Sequence, residues 1–160
     1  MNNFKKVKTV TLMDTVTLEA KEADTQAVAN RVIVETYESD QLNLVCKYLT
    51  GVGETNNTCY IKVWGYAGQY STDNDFPYSS TTNTNIANDT SNWIQIGSYD
   101  TSSGTSTFTA GLLKIAGAAA ATTYTAHFAF GITWPKIRIS AYEEGVSSKK
   151  GRLSVVALIQ

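Results

Sequence analysis

Few of the 160 residues carry a charge: 17%, against the usual ~25% of globular domains. The 13 basic and 14 acidic side chains nearly cancel, leaving a formal net charge of −1. Gripping a phosphate backbone takes a basic face, so nucleic acid is not an expected partner. Lys5, Lys6 and Lys8 near one end, and Lys149, Lys150 and Arg152 near the other, read as solvated edges and turns. No stretch approaches the ~20 apolar residues of a membrane span. Residues 1–8 hold no apolar run of signal-peptide length. The expectation is synthesis in a cytoplasm and no membrane partner.

Reactive groups are equally scarce. His127 is the single histidine, and acid–base or nucleophilic catalysis would need it paired with a carboxylate or a nucleophile. No motif supplies that partner, so it reads as a surface or interface residue. Cys46 and Cys59 are the two cysteines. If Leu42 lies opposite Val63 in a hairpin, Cys46 falls opposite Cys59, where a bridge is conceivable. Its geometry is demanding and a cytoplasmic origin disfavours it, so two buried thiols are expected. Zinc needs about four ligands, and two cysteines with one histidine make a poor set. Asp73, Asn74 and Asp75 lack the spacing of a calcium loop. Glu143 and Glu144, as neighbours on extended chain, point to opposite faces and read as turn residues. There is no nucleophile elbow, phosphate loop or dinucleotide fingerprint. Gly51–Val52–Gly53 has no helix after it, and the sequons at Asn56 and Asn88 are read as chance in an Asn/Thr-rich chain. The expectation is a protein that is not an enzyme and uses no cofactor.

What the chain does have is β-branched and aromatic residues. Thr, Val and Ile make up 44 positions, and Phe, Trp and Tyr another 17. These residues lose rotamer freedom in helices and pack well on a pleated surface. A chain of this length buries roughly 70% of its unfolded surface and needs no disulfide or metal to hold a core.

The apolar periodicity is two. Val7–Leu18 reads as a first strand or strand pair, residues 20–24 as a turn or a single helical turn, and Gln26–Tyr37 as a strand broken near Asn30. Gln41–Leu49 alternates Leu42, Leu44, Cys46 and Tyr48 against Asn43, Val45 and Lys47. Cys59–Tyr66 returns with Cys59, Ile61 and Val63 on one face and Tyr60, Lys62 and Trp64 on the other. The two are read as an antiparallel hairpin around residues 50–58. Trp93–Tyr99, Thr105–Thr109 and Thr122–Phe130 follow as strands, the last with Tyr124, Phe128 and Phe130 together. Leu112–Ala121 is ambiguous, its alanines favouring helix and Gly117 weakening it. Lys136–Tyr142 and Leu153–Ile159 close the chain, with residues 143–151 as a polar turn between them. The sum is an all-β antiparallel sandwich of jelly-roll-like form, with eight to ten strands in a single domain over 1–160.

Residues 67–92 interrupt this pattern. Seventeen of these 26 are Ser, Thr, Asn or Asp, and loops this long are functional or disordered in most domains. Phe76 and Tyr78 are the side chains such a loop would display. Elsewhere the expected contact residues are aromatic or lie on strands apolar on both faces. Trp64 shares an outward face with Tyr60 and Tyr66, and Trp93 and Trp134 are the other tryptophans. In the final strand Val156 and Leu158 are apolar on the face opposite Leu153, Val155, Ala157 and Ile159, and a strand apolar on both faces is covered on both.

From Trp93 onward the chain resembles the small β-sandwich virion proteins of tailed bacteriophages, of the head decoration, auxiliary or head-fibre type. The resemblance is carried by Trp93–Gly97 (WIQIG), the Asp100–Gly104 turn, Phe108–Thr109, Trp134–Ile139 (WPKIRI) and the apolar strand to Gln160. The 67–92 segment and the Ala118–Ala121 run depart from the pattern. The resemblance implies a virion structural protein that binds the major capsid protein, other virion proteins or copies of itself as a homo-oligomer. No site residue carries over from it. The alternative is a carbohydrate- or receptor-binding β-sandwich whose aromatic side chains stack on a glycan.

Overall fold

The computed structural model describes residues 6–18, 32–36, 39–53, 57–66, 93–100, 107–110, 112–144 and 150–160. These residues are all β, with no helix. The strands are β1 (Lys8–Thr17), β2 (Val34–Glu35), β3 (Gln41–Leu49), β4 (Thr58–Tyr66), β5 (Trp93–Gln95), β6 (Gly97–Asp100), β7 (Thr107–Ala110), β8 (Leu112–Ala116), β9 (Thr123–Gly131), β10 (Lys136–Glu144) and β11 (Arg152–Ile159).

They form two antiparallel sheets and a separate ribbon. The first sheet runs β1-β11-β3-β9. The second runs β2-β10-β4, and β4 is flanked on its far side by β8 over one half and β5 over the other. β6 and β7 pair only with each other among the described residues. The strand expected over Trp93–Tyr99 is divided at Ile96, whose amide donates to the Val63 carbonyl at 2.9 Å. That division takes the described segments to eleven, above the eight to ten expected.

The core lies between the two sheets. From the first come Leu42, Leu44, Cys46 and Tyr48 of β3 and Leu153, Val155, Ala157 and Ile159 of β11. From the second come Cys59, Ile61 and Val63 of β4 and Ile137, Ile139 and Ala141 of β10. Each set is every second residue of its strand, as the pleat requires. Sheets packed in this way share a core ~10 Å thick.

Two sequence expectations fail here. β3 and β4 are not a hairpin. β3 pairs with β11 and β9, and β4 with β10, β5 and β8. The intervening chain therefore crosses from one sheet to the other, with Gly53 at φ 82° in its turn. Alternation says which face of a strand is buried but not which strand lies beside it. Glu143 is the second failure. It is not in a turn but on β10, inward-facing and fully buried, while Glu144 on the other face is exposed. The ambiguous Leu112–Ala121 segment resolves into β8 and a short crossover.

At this end of the sandwich the two crossovers are stitched together. Thr50 Oγ1 donates to the Ala119 carbonyl (2.6 Å) and accepts from the Thr122 amide (3.0 Å). Gly117 donates to the Asn57 carbonyl (2.8 Å). The Tyr124 hydroxyl accepts from the amides of Ala118 and Ala119. Buried backbone groups need such partners, and here two inter-sheet turns supply them to each other.

Candidate interaction surfaces

The outer face of the second sheet collects side chains that are far apart in sequence. Cross-strand pairing sets Arg138 beside Trp64, Ser140 beside Lys62, and Tyr142 beside Tyr60. Tyr66 pairs with Trp93, and Tyr60 with Lys114. Directly opposed residues share a face, so these form one aromatic and cationic field. Tyr60 and Tyr142 stack with centroids 4.9 Å apart and planes within 13°. Lys62 Nζ sits 5.6 Å from the Tyr142 ring and Lys114 Nζ 5.2 Å from the Tyr60 ring. A hydrogen bond with Glu144 holds the Tyr60 phenol above its ordinary pKa.

Towards the other end the same face closes over. The Arg138 guanidinium carbon lies 5.5 Å from the Trp64 ring centre and 4.8 Å from that of Trp93. The Trp64 indole N–H donates to Ser140 Oγ at 2.8 Å. Trp93 is only 4% exposed and packs on Tyr66 at 5.1 Å. Lys136, Arg138 and Ser140, the polar face of β10, are all buried. The sequence pattern marks those three as outward, and so they are, but this part of the outer face is covered. The Arg138 clamp leaves no mark in the sequence, because β4 and β10 are far apart along the chain and only the register joins them.

Trp134 lies elsewhere. It packs against the inter-sheet core, and a Cβ on Gly65 would meet its ring at 2.3–2.8 Å. Its carbonyl accepts a hydrogen bond from Thr36 Oγ1. Gly65 is thus the gap in β4 that admits an indole.

The outer face of the first sheet is different in kind. Register aligns Thr11, Val156, Val45 and His127 in one row across all four strands, and Thr9, Leu158, Asn43 and Ala129 in the next. Val45, Val156 and Leu158 are half-buried, although they face away from the core. His127 is exposed on this face, its Nε2 3.2 Å from Asn43 Oδ1. Neither row contains a lysine, arginine or carboxylate.

The five expected contact residues therefore fall in three places: Trp64 and Trp93 together, Val156 and Leu158 together, and Trp134 alone against the core. Phe76 and Tyr78 lie outside the described residues, as does the whole of 67–92.

One ionisable cluster lies within the core. The buried carboxyl of Glu143 accepts from the Tyr48 hydroxyl, from Asn57 Nδ2 (3.2 Å) and from the Gly151 amide (2.8 Å). It joins β10, β3, the crossover after β3 and the start of β11. Burial first, and the Glu143 hydrogen bond second, push the Tyr48 phenol far up. Cys46 and Cys59 are free and buried, on inner faces of opposite sheets, and burial pushes Cys46 up to about 12. Among the described residues no group of three or more His, Cys, Asp or Glu side chains is placed to hold a metal ion.

A comparison with known protein families finds no match, and neither does one with curated proteins.

Proposed function

We propose that the chain is a non-enzymatic structural component of a virus particle, a phage capsid decoration or auxiliary protein. It docks on the major capsid protein, on other virion proteins or on copies of itself. The observation that carries this reading is the apolar patch on the outer face of the first sheet, with Val45, Val156 and Leu158 contiguous across β3 and β11 and the charges of that face, Lys47 and Arg152, standing to one end of it. Such a patch loses little on leaving water and suits contact with another apolar protein surface.

The strand order supports the same reading. With β5, β6 and β7 set aside, successive strands alternate between sheets, giving β1-β11-β3-β9 over β2-β10-β4-β8. Two Greek keys folded into a jelly roll have this order, and jelly rolls recur in viral capsid and lectin domains. Fold alone does not fix function, so the test addresses the surface. Purified protein is expected to co-sediment with empty phage heads. The double variant Val156→Asp, Leu158→Asp is expected to stay in the supernatant with its β spectrum unchanged. Wild-type protein indifferent to heads would remove the proposal.

The glycan-binding alternative relies on open aromatic faces. Trp93 is nearly inaccessible, and Arg138 lies against both indole rings, which weighs against those two as a sugar platform.

A further inference from the structure

A sheet edge is a row of unpaired backbone donors and acceptors, and folded proteins blunt such edges with charges, bulges, prolines or shortness. Among the described residues, three of the four edges of the two large sheets are blunted. β1 carries Lys8 and two register breaks, with Thr15 at φ 51° in the second. β2 is two residues long, and the far edge of the second sheet is split between the short β5 and β8. β9 has none of these devices. It runs nine residues, Thr123–Gly131, without a charge or a proline. Its pairing with β3 is continuous from Gln41↔Gly131 to Leu49↔Thr123. Among the described residues nothing pairs with its other side.

The hydrogen-bond phase shows what that side offers. Just beyond the strand's two ends, Thr50 donates to the Thr122 carbonyl and Ile132 to the Asp40 carbonyl. An antiparallel ladder alternates hydrogen-bonded and non-bonded pairs, so the even residues of β9 bond to β3. The amides and carbonyls of Thr123, Thr125, His127, Ala129 and Gly131 point out from the edge. Next to the edge an open cleft of about 440 Å³ is lined by Val63, Ile96, Leu113, Phe128 and Phe130.

We propose that this edge pairs with β9 of a second copy of the chain, antiparallel about a two-fold axis at His127. A two-fold contact must be self-complementary, and this strand is. The register that overlaps all nine residues sets odd against odd, so every outward amide meets an outward carbonyl. On the inner face it places Tyr124 opposite the partner's Phe130, an aromatic pair, and Ala126 opposite the partner's Phe128, small against large beside the cleft. On the outer face Thr125 meets the partner's Ala129, and no two like charges meet. The result is one eight-stranded sheet whose two outer faces, each with its Val45, Val156 and Leu158 patch, merge into a single docking surface. The pairing stands on the edge itself and does not require that the partner be a capsid.

The test is the mass of the purified protein by light scattering, with three variants. Wild type is expected to be a dimer. Ala129→Pro deletes only an outward amide, which an edge strand tolerates, and is expected to give a folded monomer. His127→Asp sets two carboxylates across the axis and is expected to do the same. His127→Cys is expected to form a disulfide dimer on mild oxidation, because hydrogen-bonded antiparallel partners sit ~5.5 Å apart, within disulfide reach. A monomeric wild type overturns the proposal, and so does a dimer that survives both Ala129→Pro and His127→Asp. Head binding is scored separately. A monomer that still binds heads rejects the pairing alone, and a dimer that ignores heads rejects the virion reading alone.

Discussion

Glu143 is the residue on which the closed end of the sandwich depends. It is fully buried, yet it accepts from a phenol, a side-chain amide and a backbone amide, each from a different part of the chain. Hydrogen bonds to a buried carboxyl are strong, and removing the acceptor strands its donors. Glu143→Ala is therefore expected to lower the unfolding free energy by ~3 kcal/mol in urea titrations, with Glu143→Gln costing less. Gly151 is tied to the same group: a Cβ there would meet Glu143 Oε1 at 2.7 Å and the Leu49 carbonyl at 2.8 Å. The buried thiols and phenol give a second expectation. Their folded pKa values lie above the ordinary ones, so each contributes stability below its unfolded pKa and loses it as pH rises. For Cys46 the window runs from about 9 to about 12. The urea midpoint is expected to fall steeply above pH 9, and less steeply in Cys46→Ala.

At the scale of the element, each strand is a compromise between ladder and packing. β1 breaks register twice, so that Leu12 and Met13 are both buried although they are adjacent. The second break leaves Thr15 left-handed, a conformation that costs a β-branched residue energy. Thr15→Asn keeps a short polar side chain and tolerates that backbone. It is expected to stabilise the protein by up to about 1 kcal/mol, read as a rise in Tm. β4 makes the opposite accommodation, giving up a side chain at Gly65 so that Trp134 can close the core. Gly65→Ala forces the indole aside and is expected to cost ~1–3 kcal/mol by calorimetry. β9 stands apart because its local pattern is unbroken. The regularity that makes Tyr124, Phe128 and Phe130 easy to read in the sequence also leaves its edge open to another strand.

Across the whole molecule the two outer faces differ. On the second sheet Arg138, Trp64 and Trp93 pack into each other, and the stacked tyrosines stand between two lysines. On the first sheet Val45, Val156 and Leu158 form a small, half-exposed apolar patch, with Lys47 and Arg152 to one side of it. An assembly that presented the second sheet and hid the first would use both as they are. If so, charge introduced at Val156 and Leu158 should abolish docking, while Lys62→Ala and Lys114→Ala should leave it intact in the same sedimentation assay.

Residue pattern alone sets the all-β class and the inward face of nearly every long strand. Leu42, Leu44, Cys46 and Tyr48, or Leu153, Val155, Ala157 and Ile159, need only a period of two to be assigned to the core. It also marked Trp64 as sharing a face with Tyr60 and Tyr66. Alternation is a property of one strand, so it survives without knowledge of any neighbour. Which strand lies beside which is a property of pairs, and it is settled by the folded chain. It turned the β3–β4 hairpin into a crossover, carried Glu143 from a turn into the core, and set Arg138 between two tryptophans. It also left β9 at an edge, because a strand's exposure along its hydrogen-bonding direction depends on what the rest of the chain places there.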